Sequence, residues 1–280
     1  MVFCNSGFSP KQPFMVKLSS SYYKKIVNNY GISHFYSFQL DEGVNQIETS
    51  VPDGCVDIIF HYSGNGGQAG ASIYGSPLEP HSFDMISGFR YFGVRFLPGN
   101  SPMLVDASVS ELINQVTPLS GDSNLKLTRL IAQGPDFETQ VRAFFDFYLK
   151  ELEQTHVGSC DYKLNQYLLK EIIQNFGNVK ISELAEKSGY SVRYINRVFK
   201  EAEGISPKNF CRIIRFQCCM NAITHLENNP NIDADELVCR LGYCDQSHMI
   251  REFKEFSKRT PLSYLEELKA FDYVNRLKIV

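Results

Sequence analysis

Gly189-Tyr190-Ser191-Val192-Arg193-Tyr194-Ile195-Asn196-Arg197-Val198-Phe199-Lys200 has a second version downstream, Gly242-Tyr243-Cys244-Asp245-Gln246-Ser247-His248-Met249-Ile250-Arg251-Glu252-Phe253-Lys254. The offset from Phe199 to Phe253 recurs from Pro207 to Pro261 and from Phe210 to Tyr264. Each glycine suits a left-handed residue that turns one helix sharply into the next, and Ser191 and Asp245 supply the side-chain oxygen that caps the helix that follows. The spacing predicts two related helix-turn-helix units. Two such units in one chain point toward DNA.

The helical wheel divides the first of these helices into two faces. Ile195, Val198, Phe199 and Ala202 fall inward, whereas Arg193, Asn196, Arg197 and Lys200 recur at spacings of three and four on the opposite side. Arginine bonds guanine with two parallel donors, asparagine pairs with adenine, and lysine near a helix end suits a phosphate. A solvated charged face is the competing reading for one such helix alone. In the second unit Leu237, Leu241, Met249 and Phe253 belong to the core, and Gln246, Ser247, Arg251 and Lys254 lie outward with Ile250. The repetition of an outward arginine and lysine at matching positions favours a nucleic-acid surface.

Upstream, Leu164, Leu168, Leu169, Ile172, Ile173 and Phe176 form the apolar face of a helix that ends at Gly177-Asn178. Ser182 is the expected cap of the next helix, which stops at Gly189. A long helix near Pro207 to Leu226 is expected to join the two units.

Composition is that of a water-soluble globular chain: 280 residues, 43% hydrophobic, 21% charged, net charge −3. The first 160 residues hold 10 Lys+Arg against 15 Asp+Glu, a balance of −5, and the remainder 18 against 16, a balance of +2. The asymmetry has the sign expected of a C-terminal nucleic-acid module. No apolar run reaches the roughly 20 residues that span a bilayer. The start, Met1-Val2-Phe3-Cys4-Asn5, lacks a charged segment leading into an apolar one, so a cytoplasmic location is expected, with the eight cysteines as free thiols.

The first hundred residues read as strands. His34–Leu40, Val56–Tyr62 and Phe89–Phe96 are rich in aromatic and β-branched residues and are bounded by Gly, Pro, Asn and Asp clusters, which fits an antiparallel barrel or sandwich. Gly64–Gly70 reads as a flexible turn without the Gly-Lys-Ser/Thr ending of a phosphate loop. After Pro98 the pattern turns helical. Over 136–152, Val141, Phe144, Phe145, Tyr148, Leu149 and Leu152 make one apolar face, which either covers the sheet of its own domain or meets a second subunit. Thr155–Cys160 is the expected linker. The expected organisation is α+β: an N-terminal domain over 1–157, with a barrel and accessory helices, and an all-α domain over 158–280.

The motif set Gly189-Tyr190-Ser191, Arg197, Phe199-Lys200, Gly204-Ile205-Ser206-Pro207, Ile213-Ile214-Arg215-Phe216, Gly242-Tyr243, Gln246-Ser247-His248, Phe253-Lys254 and Thr260-Pro261 resembles the DNA-binding domain of the AraC/XylS family of bacterial transcription regulators. The resemblance covers about 100 residues. It implies two recognition helices in successive major grooves, ~34 Å apart, on double-stranded promoter DNA. Carried over by position, Arg193, Asn196, Arg197, Lys200, Gln246, Ser247, Arg251 and Lys254 are the DNA-contacting candidates. Arg212 and Arg215 on the joining helix either touch phosphate or pack and pair with nearby glutamates. Lys258 departs from the family pattern, which usually has glycine there, so a differently built turn is expected after the second recognition helix. The outward residues of the two helices differ, so the two units should read different bases.

Pro52–Phe60 and Phe92–Gly99 are similar to segments in the cupin-like sensor domains of some of these regulators, implying a domain that binds a small-molecule effector or a partner. An effector acts by binding one domain arrangement better than another. A homodimer and RNA polymerase are further partners the resemblance implies. Chemistry in the barrel, as in a cupin-like enzyme fused to a DNA-binding tail, is the rival. Yet His34, His61 and His81 are isolated in the sequence, so neither a metal, a cofactor nor catalysis is expected. Asp53 and Asp57 with Arg90 or Arg95 form either a small-molecule site or turn bonds and ion pairs. Vicinal Cys218-Cys219, with Cys239 and Cys244, leaves a redox-controlled binding protein as a third reading, against buried and inert thiols.

Overall fold

The computed structural model describes residues 8–40, 47–64, 67–100, 104, 107–152, 160–226 and 238–280. The fold is α+β, with strands gathered in the first part of the chain and helices in the second. The strands are β1 (Tyr22–Asn29), β2 (Ile32–Gln39), β3 (Ile47–Ser50), β4 (Asp57–Ser63), β5 (Ala69–Tyr74), β6 (His81–Asp84), β7 (Phe89–Phe96), β8 (Val116–Pro118) and β9 (Leu277–Ile279). Seven of them form one sheet in the order β8-β5-β4-β7-β2-β1-β9, and β3 pairs with β6. Every pairing is antiparallel except that of β9 with β1. The expected barrel is realised as this layer, whose edges β8 and β9 are not joined to each other among the described residues.

Alternation along the strands makes two buried faces. Phe35, Ile58, Phe60, Phe92 and Val94 point to one side, against α3 (Asp122–Gln133) and α4 (Phe137–Leu152). Phe144 of α4 meets Phe35 edge-on at 5.6 Å and Phe60 at 6.3 Å, so the apolar face of this helix is buried on its own sheet. Truncating a fully buried ring of this kind costs about 3–5 kcal/mol. On the other side Tyr22, Tyr36, Phe38, Ile59 and Tyr91 meet Met15 of α1 (Pro13–Val16), Val51 and Met85. Phe38 stacks on Tyr22 at 5.4 Å and on Tyr91 at 5.1 Å.

Some expectations need correcting. Gly70 belongs to β5 rather than to a turn, opposite His61, where a side chain would meet the imidazole. The helical pattern after Pro98 is interrupted, because α2 (Val109–Leu112) is followed by the edge strand β8. The boundary at 157/158 and most of the expected linker, Thr155–Cys160, lie outside the described residues; Cys160 itself opens α5 (Cys160–Gln174).

The remaining helices are α6 (Ile181–Ser188), α7 (Val192–Glu203), α8 (Pro207–Leu226), α9 (Gln246–Ser257), α10 (Pro261–Ala270) and α11 (Tyr273–Arg276). The helical part is joined to the sheet by one apolar cluster that runs from Phe38 and Tyr91 through Leu168, Phe199, Phe210 and Phe216 to Tyr264. Gln217 of α8, only 2% exposed, donates to the Pro52 carbonyl at 2.8 Å and accepts from the Lys11 amide at 2.8 Å. Gly54, at φ +75°, lies so close to Phe210 that a Cβ would stand 2.7 Å from its ring. Phe14 meets Tyr264 of α10 edge-on at 6.0 Å, and Arg259 lies over the same Phe14 ring at 3.9 Å. The chain then returns to its N-terminal part: Arg276 donates to the Lys17 carbonyl at 2.9 Å, and β9 extends the sheet beside Tyr22–Lys24.

Arg95 is part of this junction. It is buried, holds Asp53 at 2.9 Å, and is bonded through two nitrogens to Asp57. Burial opposes its charge, but Asp57 and Asp53 outweigh that and raise the guanidinium pKa above its ordinary value. Asp53 also accepts from the Cys55 amide at 2.9 Å and from Gln12 at 2.9 Å, which fixes the loop that Gln217 and Phe210 touch. Arg90 is elsewhere, beside Gln39.

Candidate nucleic-acid interface

The first unit is α6, a turn, and α7. Gly189 ends α6 at φ +75°, and its amide bonds back to the Ala185 carbonyl. Ser191 then caps α7, accepting from the Tyr194 amide at 3.2 Å. Ser182 does not cap α6: the helix starts at Ile181 after Lys180, which makes no side-chain cap bond. Ile195, Val198 and Phe199 are buried, whereas Arg193, Arg197 and Lys200 are exposed.

The second unit repeats the plan. Gly242 has φ +74°, and Asp245 caps α9 by accepting from the His248 amide at 2.7 Å. Met249, Phe253 and Phe256 are buried, and Gln246, Ser247, Ile250, Arg251 and Lys254 are exposed along one stripe. Leu237, expected in this core, lies outside the described residues. Lys258 ends α9 at φ +57°, its amide bonded to the Lys254 carbonyl, just as Gly204 ends α7 at φ +70° with its amide on Lys200. The turn expected to differ is therefore built the same way, with lysine held in the left-handed region.

Between the units runs α8, over the length expected. Arg212 and Arg215 turn from α8 toward α9, where Glu252 is 3% exposed. Arg212 donates to Glu252 at 2.9 Å and to Glu255 at 2.6 Å, and Arg215 donates to Glu252 at 3.1 Å and to the Gly242 carbonyl at 3.3 Å. Their guanidinium groups lie over the rings of Phe256 and Tyr243 at 5.0 and 4.9 Å. Truncating one partner of a buried, hydrogen-bonded charge pair typically costs 3–5 kcal/mol, so these arginines hold the second recognition helix to the frame.

The two outward stripes differ in freedom. Arg193, Lys200, Arg251 and Lys254 have no ion-pair partner among the described residues. Asn196 donates to the Val192 carbonyl at 2.8 Å, one turn back. Arg197 is bonded to Glu201 at 2.7 Å, lies 3.6 Å from Asp161, and is over the Tyr194 ring at 4.8 Å. Its hydrogen bond to Glu201 and the charges of Glu201 and Asp161 raise its pKa. Tyr194 donates to Asp161 at 2.7 Å and stacks on Tyr190 at 5.0 Å. Sequence reasoning missed this cluster, because Asp161 comes from the first turn of α5. The pattern that places it there is the i, i+3 and i, i+4 face of α5 packing on α7, which fixes a helix contact without its register.

Residues 184–267 match a family described as "Helix-turn-helix domain", and residues 29–118 match one described as "Domain of unknown function (DUF6597)". The Msm operon regulatory protein of Streptococcus mutans is 23% identical over 165 residues, which is 57% of each chain. This chain thus spans little more than half the length of that relative. Among solved structures, the C-terminal domain of AraT, a response regulator from Geobacillus stearothermophilus, is 22% identical, with 40% of this chain and 88% of that one covered at a TM-score of 0.32. An apo form of ToxT from Vibrio cholerae is 11% identical, with 85% and 98% covered at a TM-score of 0.45. Over residues 184–267 the chain therefore carries a helix-turn-helix domain, in line with the resemblance of its motifs to the DNA-binding domain of AraC/XylS regulators.

Proposed function

We infer that this chain is a sequence-specific DNA-binding transcription regulator of the bacterial cytoplasm, without catalytic activity, whose N-terminal domain answers to a small-molecule effector. The observation that carries this reading is the pair of outward stripes on α7 and α9, each offering free basic groups and held to a shared frame by α8. Arg193, Asn196, Arg197, Gln246, Ser247 and Arg251 are assigned to base edges, and Lys200 and Lys254 to phosphates. Arg212 and Arg215 are assigned to the frame. Footprinting of genomic DNA with the full chain tests the assignment. A protected site is expected, with affinity falling as salt rises by roughly 0.9 log unit per log unit for each phosphate contacted. Arg193→Ala and Arg251→Ala should each weaken that site about tenfold or more, in line with 1–3 kcal/mol per base contact. Equal binding by both variants and the parent would remove the two-helix reading.

For the effector, a cleft of about 720 Å³ is bordered by Tyr23, Phe38, Tyr62, Arg90, Phe137 and Gln140. Its volume is in the range of small-molecule sites. Val280, next to β9, lines it too, so an occupant would touch both parts of the chain. Of the cysteines in the redox reading, Cys219 is buried, which raises its thiol away from the reactive thiolate, whereas Cys218 is half-buried and Cys239 and Cys244 are exposed rather than buried. A homodimer and a contact with RNA polymerase belong to the same proposal, as the ordinary partners of such a regulator.

A further inference from the structure

The outward stripe of α9 is polar except at one position. Ile250 is 40% exposed, whereas Met249 and Phe253, its apolar neighbours on the helix, are buried at 8% and 0%. It stands three residues after Ser247, four after Gln246 and four before Lys254, and so lies at the centre of the stripe rather than at its margin. Among the described residues its side chain belongs to neither apolar cluster, nor is it one of the partly buried residues packed against them. On α7 the matching place, at the offset that relates Phe199 to Phe253, holds Asn196. A single exposed isoleucine is unremarkable on a protein surface in general. What marks Ile250 is that it is flanked by the amide, hydroxyl and guanidinium groups that suit base edges.

In the major groove one base presents an apolar group. Thymine carries a C5-methyl group, and small apolar side chains read it by contact, while glutamine pairs with adenine. We propose that Ile250 is a specificity-determining residue that packs against a thymine methyl, so that the segment read by α9 contains an A·T pair recognised through that methyl. The proposal rests on the regulator reading above. It adds a property that none of the polar candidates supplies, since a methyl contact discriminates thymine from uracil while leaving every hydrogen bond of the base pair unchanged. Burying one methyl group is worth a factor of about four in affinity.

The test uses a duplex recovered by selecting randomised DNA with the full chain, and copies in which each thymine in turn is replaced by deoxyuridine. With the parent protein, one replacement in the half of the site contacted by α9 should weaken binding about fourfold. Ile250→Ala should bind the thymine duplex about fourfold less tightly than the parent, and bind the thymine and deoxyuridine duplexes alike. An enriched sequence in which no deoxyuridine replacement changes parent binding overturns the methyl contact and leaves the regulator reading intact. The contact is equally overturned if Ile250→Ala keeps the parent's thymine preference. Selection that enriches no sequence removes both readings. The deoxyuridine measurements on the parent need no variant, so the absence of any thymine preference overturns the contact by itself, while Ile250→Ala ties an observed preference to this side chain.

Discussion

Lys258 at φ +57° and Gly204 at φ +70° close corresponding recognition helices, yet only one of the two positions demands glycine. At Gly204 a Cβ would stand 2.4 Å from Ile113 and 3.1 Å from the Ser110 Cα, because α2 packs against the end of α7. Lys258 is exposed, so its only penalty is the left-handed backbone, about 1–2 kcal/mol for a residue with a Cβ. Part of that is offset by the greater chain entropy of glycine. Lys258→Gly should therefore stabilise the protein by about 1 kcal/mol in denaturant unfolding, whereas Gly204→Lys should be strongly destabilising. Glu203, one residue earlier, is the other informative side chain. It is 5% exposed and is bonded to the Asn165 amide at 2.6 Å, and burial raises its carboxyl to about 7, with the Asn165 bond opposing. The folded pKa lies above the ordinary value of 4.5, so the folded chain binds this proton more tightly than the unfolded one. The associated stability is present below about pH 4.5 and is lost as pH rises toward 7. Glu203→Gln should flatten the decline between pH 4.5 and 7 and be more stable than the parent at pH 8, by on the order of 2–3 kcal/mol. Thermal unfolding across that pH range measures it, and an unchanged profile would contradict the buried, protonated carboxyl.

At the scale of the element, α7 and α9 share a scaffold but present their arginines differently. Arg251 is unpaired among the described residues, while Arg197 is held between Glu201 and Asp161 on an aromatic face. A base or phosphate that engages Arg197 must displace those carboxylates, and both remain beside the polyanion afterwards. The double variant Asp161→Asn, Glu201→Gln should bind the footprinted site several-fold more tightly than the parent at low salt, with the advantage shrinking as salt screens the charges. Unchanged affinity at every salt concentration would mean that the cluster does not compete with DNA. The recognition helices were legible in the sequence because capping residue, turn glycine and apolar spacing all agree at Ser191, Gly189 and Ile195, and again at Asp245, Gly242 and Met249. The Arg197 cluster was not legible, since wheels assign a face to α7 without saying which residues of α5 lie across from it. β8 and β9 were hidden for another reason: three-residue edge strands carry too few residues to show alternation, and their formation depends on an available neighbour. Arg95 was read as a member of a ligand site or an ion pair; the ion pairs with Asp53 and Asp57 form in the interior, which no spacing reveals.

At the scale of the whole molecule, the two segments that resemble sensor domains, Pro52–Phe60 and Phe92–Gly99, are also where the helical part docks. Pro52 accepts from Gln217, Gly54 abuts Phe210, and Gly99 accepts from Gln166 at 3.3 Å while a Cβ on it would clash with Leu169. Arg276 and β9 make a second attachment, to the Lys17 carbonyl and to β1. An effector can influence DNA binding through such a junction only if its occupancy favours one arrangement over another, so the strength of the junction sets how much coupling is available. Gln217 is its most exacting polar residue, because its amide satisfies backbone groups of Lys11 and Pro52 in the N-terminal part of the chain. Gln217→Leu keeps the shape and leaves the Lys11 amide and the Pro52 carbonyl without their partner. Each such loss costs about 1–3 kcal/mol, so the docked state should be weakened by roughly 2–6 kcal/mol while each part keeps its own apolar packing. Hydrogen exchange reads this locally. The Lys11 amide should exchange at least tenfold faster in Gln217→Leu than in the parent, while amides in the centre of the sheet, such as Phe60 and Val94, keep their protection. Uniform acceleration at Phe60 and Val94 would mean that Gln217 supports the whole fold rather than the junction, and unchanged exchange at Lys11 would mean that the junction does not depend on it.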